Sequence, residues 1–115
     1  MAQDCRPSEA GVTDTIVAPA TPPGRSALGL VRVSGPKARE IARRLLGPTA
    51  LPPRRASARL ARRAGRPVDR VVAVFWEGSD SPIGEDLLEL SAHGSPDILS
   101  DLIEAAVEAG ARPAE

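Results

Sequence analysis

Ser81-Pro-Ile-Gly-Glu-Asp-Leu-Leu-Glu-Leu-Ser-Ala-His-Gly-Ser95 is the stretch that decides the fold. Its centre, Asp86 to Ala92, has strand length, with Leu88, Leu90 and Ala92 on one face and Leu87, Glu89 and Ser91 on the other. Its end, Ser95 followed by Pro96 and Asp97, has the composition of a capped helix start. His93-Gly94 forms the turn between strand and helix in this reading. A strand running straight into a helix, with a carboxylate inside an apolar run, is the signature from which the rest is built. Glu89 must face water, a partner or a ligand, because an unpaired buried charge costs on the order of several kcal/mol.

Working outward, Leu99, Leu102, Ile103, Ala106 and Val107 give the following helix its apolar stripe, and Gly110 supplies a stop. Upstream, Val68 to Trp76 contains Val71-Val-Ala-Val-Phe-Trp, apolar on both faces, which predicts a central strand covered on both sides. Ala56-Ser-Ala-Arg-Leu-Ala reads as its hairpin partner, turning near Gly65. Ala27 to Ser34 is a strand by length and β-branching. Ser34-Gly-Pro36 then opens a helix with proline in its first turn, the stripe Ala38, Ile41, Ala42 and Leu45 follows, and Gly47-Pro48 ends it. Thr15-Ile-Val-Ala is a short strand that Pro19 confines to an edge or a strand end. Thr21-Pro-Pro-Gly-Arg-Ser26 is a stiff turn, and residues 1–13 read as a disordered tail before a single domain over 14–115. The order β-β-α-(β)-β-β-α predicts an α+β fold, a mixed or antiparallel β-sheet with two helices packed on one face.

Composition bounds the function. The 115 residues, 42% hydrophobic and 26% charged, suit one soluble domain with a modest core. Net charge is zero but unevenly spread. Lys37 to Arg70 holds eleven basic residues against Glu40 and Asp69, while Val71 to Ala111 holds nine acidic residues and no Lys or Arg. The two halves therefore attract each other, or attract the opposite halves of a second copy. Cys5 is the sole cysteine, so a disulfide framework is excluded and a cytoplasmic setting is expected. No apolar run reaches membrane-spanning length, and residues 1–13 lack the apolar core of a secretory signal. Phe75 and Trp76 are the only aromatics, too few for a base-stacking platform.

Two side chains carry candidate chemistry. Glu89 suits a ligand offering two adjacent N–H donors, and the plainer reading is a carboxylate on the water-facing side of a one-sided sheet. Arg32 shares a face with Leu28 and Leu30. It reads as a clamp for a carboxylate or phosphate, as a partner for Glu89, or as a surface arginine whose stem covers apolar area. His93, without a second His or Cys, cannot build a metal site and reads as structural. Pro23-Gly24-Arg25-Ser26 lacks the phosphate-loop pattern, so nucleoside triphosphate hydrolysis by this chain alone is not expected. The arginines from 54 to 70 could touch RNA phosphates or form a solvated hairpin face.

Five ordered segments carry a resemblance: Asp14-Thr-Ile-Val-Ala18, Ala20-Thr-Pro-Pro-Gly-Arg25, Arg32-Val-Ser-Gly-Pro36, Gly84-Glu-Asp-Leu-Leu-Glu-Leu90 and His93-Gly94, with Gly110-Ala-Arg112 behind them. Together they resemble the N-terminal domain of the MnmE (TrmE) family of tRNA-modification GTPases, over residues 14–115. The resemblance implies a head-to-head homodimer that binds a one-carbon tetrahydrofolate such as 5-formyltetrahydrofolate, with Arg32 and Glu89 as cofactor-binding residues. It also implies a separate GTPase, an FAD-dependent partner in wobble-uridine modification, tRNA met only indirectly, and no membrane. Departures are Ser26-Ala27 where the family carries Gly-Gly, Pro82-Ile83 where it carries an aromatic and Thr, and Ser95 where it carries Gly. The family's helical and GTPase regions and its later Lys segment are not in these 115 residues, so a stand-alone, split or truncated form is expected. The competing reading is a protein-interaction domain that retains the fold without the folate.

Overall fold

The computed structural model describes residues 14–20 and 26–114; the expected tail over 1–13, with Cys5, and the turn over 21–25 lie outside them. Six strands form one sheet: β1 (Ile16–Pro19), β2 (Ser26–Ser34), β3 (Ser57–Arg63), β4 (Arg66–Trp76), β5 (Leu87–Gly94) and β6 (Arg112–Pro113). Among the described residues two α-helices accompany them, α1 (Ala38–Leu46) and α2 (Pro96–Glu108). The strand order is β3-β4-β5-β2-β1-β6, antiparallel throughout except for the parallel pair β1–β6. The expected α+β class and sheet stand. The two-residue β6 was not foreseen, being too short for any periodicity.

Alternation sorts the strands into two faces. Val17, Val31, Val33, Ala61, Val71, Ala73, Phe75, Leu88, Leu90 and Ala92 form one buried cluster with Ala38, Ile41, Ala42, Leu45 and Leu46 of α1 and Leu102, Ala105 and Ala106 of α2. Each large side chain buried there contributes about 1.5–3 kcal/mol. Arg39 of α1 lies over the Phe75 ring, its Cζ 4.4 Å from the centroid, and its Nη2 donates to Glu77 at 2.6 Å. Arg63 of β3 donates to Asp101 and Glu108 of α2, each at 2.9 Å. Its hydrogen bond to Glu108 leads the causes that hold this guanidinium above its ordinary value. The expected attraction between basic and acidic halves is thus exercised within the chain.

Three expectations are corrected. β4 is not covered on both sides: among the described residues both helices lie on one face, and Val72 stays 45% exposed on the other. Its apolar run reflects an apolar sheet face that no described helix covers, which sequence alone cannot tell from a second buried one. Helix α1 starts at Ala38, so Pro36 sits in the preceding turn. That turn is fixed by Gly35 at φ +131, whose N–H donates to the Asp86 carbonyl, and by Thr15 Oγ1, which accepts from the Lys37 N–H at 2.8 Å. Ser95 holds the cap position of α2, but its side chain makes no capping bond; its carbonyl accepts from the Leu99 N–H instead.

Candidate functional site

The uncovered sheet face is built by register. Arg32 of β2 stands opposite Glu89 of β5, and Glu89 stands opposite Val74 of β4. The next row places Leu30, Ser91 and Val72 side by side, and the row beyond pairs Leu28 with His93. On the other side, Ser34, Leu87 and Trp76 line up. Leu87 is 1% exposed yet stands outside the main core cluster, which marks a small separate buried zone beside Trp76.

Glu89 is the centre of this face. Its Oε2 accepts from Arg32 Nε and its Oε1 from Trp76 Nε1, each at 2.9 Å. Its side chain is 19% exposed and that of Arg32 52%. The structure therefore brings both sequence-chosen residues together and selects, among the readings left open, the one in which Arg32 partners Glu89. Trp76 was missed as a site residue because it closes an apolar run and read as core. The available signal was its place beside a polar loop, where an indole N–H needs an acceptor.

The pair is not saturated. A carboxylate offers about four lone-pair positions and only two are used. The Nη groups of Arg32 make no hydrogen bond among the described residues. A half-exposed guanidinium with spare donors beside a carboxylate with spare acceptors can receive a flat polar heterocycle that offers N–H groups on one side and a carbonyl on the other. A pterin has that edge, so the residues present fit a folate's head.

His93 lies within β5 rather than at a strand-to-helix turn, and its Nδ1 meets Asp69 at 2.9 Å while its N–H donates to Asp69 Oδ2 at 3.0 Å. Burial pushes the Asp69 carboxyl up, but these His93 bonds outweigh it and hold the group below the ordinary aspartate value. Glu85 moves the other way, raised by burial and by the neighbouring Asp86 charge. Clefts elsewhere include one of about 100 Å³ beside Arg39, Leu46, Leu51 and Phe75, and one of about 380 Å³ beside Arg63, Val68 and Asp101. Neither touches Arg32 or Glu89. No helix among the described residues is long and apolar enough to cross a membrane.

Among the described residues a six-stranded sheet is backed by two helices on one face and carries an Arg–Glu–Trp set on the other, which defines the class: a small α+β domain with polar chemistry on the sheet face away from its helices. The chain belongs to the family described as the GTP-binding protein TrmE N-terminus, which matches residues 15–115. It is similar to the "tRNA modification GTPase MnmE" of Legionella pneumophila (strain Paris), 48% identical over 100 residues, covering 86% of this chain and 22% of that protein. Proteins of the same name from Opitutus terrae and Photobacterium profundum are 46% and 42% identical, covering 88% and 89% of this chain. The chain spans about a fifth of the length of these relatives.

Proposed function

We propose that this chain acts in tRNA modification, as its relatives' printed name suggests, by binding a one-carbon tetrahydrofolate and pairing with a second copy of itself. The single observation that carries the reading is the Arg32–Glu89 pair on an open sheet face, with donors left over on Arg32 and acceptor positions left over on Glu89. Glu89 would accept from the paired N–H edge of the pterin, and Arg32 would meet its carbonyl or the anionic glutamate tail. Trp76 would fix the carboxylate in place. The folate would bring a one-carbon unit; this chain's own residues bind and orient it.

The same face favours a partner copy. Leu28 and Val72 are 66% and 45% exposed, and Leu30, Val74 and Trp76 are half-buried beside them. An isologous contact would cover this area and enclose the folate site. A separate GTPase and an FAD-dependent enzyme would complete the modification of the wobble uridine.

One observation favours the second reading, a protein-interaction domain without folate: both Glu89 oxygens already have a partner within the chain. Isothermal titration with 5-formyltetrahydrofolate, alongside sedimentation equilibrium, decides between them. Saturable binding by a dimer supports the folate reading. A dimer that takes up no folate supports the interaction domain, and a monomer that takes up none refutes the folate reading and the pairing with a second copy.

A further inference from the structure

The hairpin side of the sheet carries a second, chemically different surface. β3 is an edge strand, and from Arg43 near the end of α1 to Arg66 beyond the β3 hairpin every charged side chain is an arginine. Arg54 and Arg55 stand before β3, with the Arg54 N–H bonded to the Phe75 carbonyl. Arg62 and Arg66 flank the hairpin tip, with Arg62 opposite Pro67 and Arg66 opposite Arg63. Arg44 of α1 lines a cleft with Ala64 and Gly65 of that tip, which joins the helix to the same surface. Arg43 lines the cleft beside the loop 48–51, whose carbonyls at Thr49 and Ala50 accept from Arg59.

Arg43, Arg44, Arg54, Arg55, Arg62 and Arg66 are all exposed and make no ion pair among the described residues. The acids that could neutralise the tip, Asp101 and Glu108, are already held by Arg63. β3 alone runs about 20 Å, roughly the span of six successive phosphates at duplex spacing. Protein hot spots are Trp, Tyr and Arg side chains packed together in desolvated pockets, and these exposed arginines have no aromatic side chain among them to pack with. The exposed large hydrophobics of the described residues are Leu28, Val72 and Ile83, none of them in β3, the tip or α1. A long cationic edge without anchors suits a phosphate backbone better than an acidic protein, and the arginine fork matches phosphate in two-point fashion.

We propose that this edge binds the phosphate backbone of RNA, independently of base sequence. The choice of RNA rests on the tRNA-modification reading; the site does not involve Arg32 or Glu89, so its failure leaves the folate titration standing, and the converse holds. The test is fluorescence anisotropy of the 115-residue chain with a labelled RNA duplex of roughly 20 base pairs, between roughly 50 and 200 mM salt. Four to five phosphate contacts predict an affinity loss of about 150- to 500-fold across that range. The double variant Arg62→Gln/Arg66→Gln should lower the salt slope by about two and leave the melting temperature unchanged. Absence of binding at the lowest salt, an unchanged slope in the double variant, tighter binding to the equivalent DNA duplex, or equal competition by polyglutamate would each overturn the assignment.

Discussion

Replacing Glu89 with glutamine separates the two roles that this side chain can have. The carboxylate accepts from Arg32 Nε and Trp76 Nε1, each at 2.9 Å. Glutamine offers one acceptor oxygen and one NH2 donor, so it serves one of these N–H groups and opposes the other. Arg32 is 52% exposed, so it is the group released to water, and the oxygen stays on Trp76. The lost pair is of the exposed kind, about 0–1 kcal/mol, and the melting temperature should fall by at most about 6 °C. A ligand donating two N–H groups to Glu89 loses a charged hydrogen bond and meets an N–H. That is about 2–4 kcal/mol, or roughly 30- to 1000-fold in affinity. Calorimetric titration with 5-formyltetrahydrofolate and thermal melting on the same variant read both numbers. An affinity within about threefold of wild type, whatever the melt, refutes Glu89 as a ligand residue. A fall well beyond about 10 °C refutes the treatment of its pair with Arg32 as exposed.

Three further outcomes follow from the fold. Ala64 sits at φ 51 beside Gly65 at φ 81 in the β3–β4 hairpin, so Ala64→Asn should relieve strain by about 0.5–1 kcal/mol and raise the melting temperature by several degrees. Gly35→Ala would place a Cβ 2.4 Å from the Asp14 carbonyl oxygen at φ +131, costing about 2–4 kcal/mol in urea unfolding. Asp69 has its folded pKa below the unfolded one, so its contribution is present above the ordinary aspartate value and lost as pH falls through the folded value. Asp69→Asn should therefore destabilise by about 1 kcal/mol at neutral pH, with the gap closing below about pH 4.

The sheet and both helices were legible because their apolar residues recur at two-residue and helical spacing, and the hairpin because Gly65 punctuates it. Glu89 and Arg32 were legible as candidates because a charge inside an apolar strand is conspicuous. Their partnership was not, since it depends on the register of β2 against β5, and many registers satisfy the same alternation. Trp76 was hidden for the same reason: its acceptor lies on the neighbouring strand. The cap on the turn before α1 comes from Thr15, twenty-two residues before Lys37, and no local pattern announces such a bond. Covering of the second sheet face was misread because exposed and buried valines look alike in sequence.

The central claim is that a folate sits against Glu89, and the chain carries its own reporter there. Trp76 is the only tryptophan, there is no tyrosine, and its Nε1 donates to the Glu89 carboxylate. Titrating the chain with 5-formyltetrahydrofolate while recording Trp76 emission, corrected against free tryptophan for absorption by the folate, reads the site directly. The account predicts a saturable change in intensity or wavelength that is lost in Glu89→Gln. Emission that follows the free-tryptophan control throughout the titration, with no saturation, would contradict it.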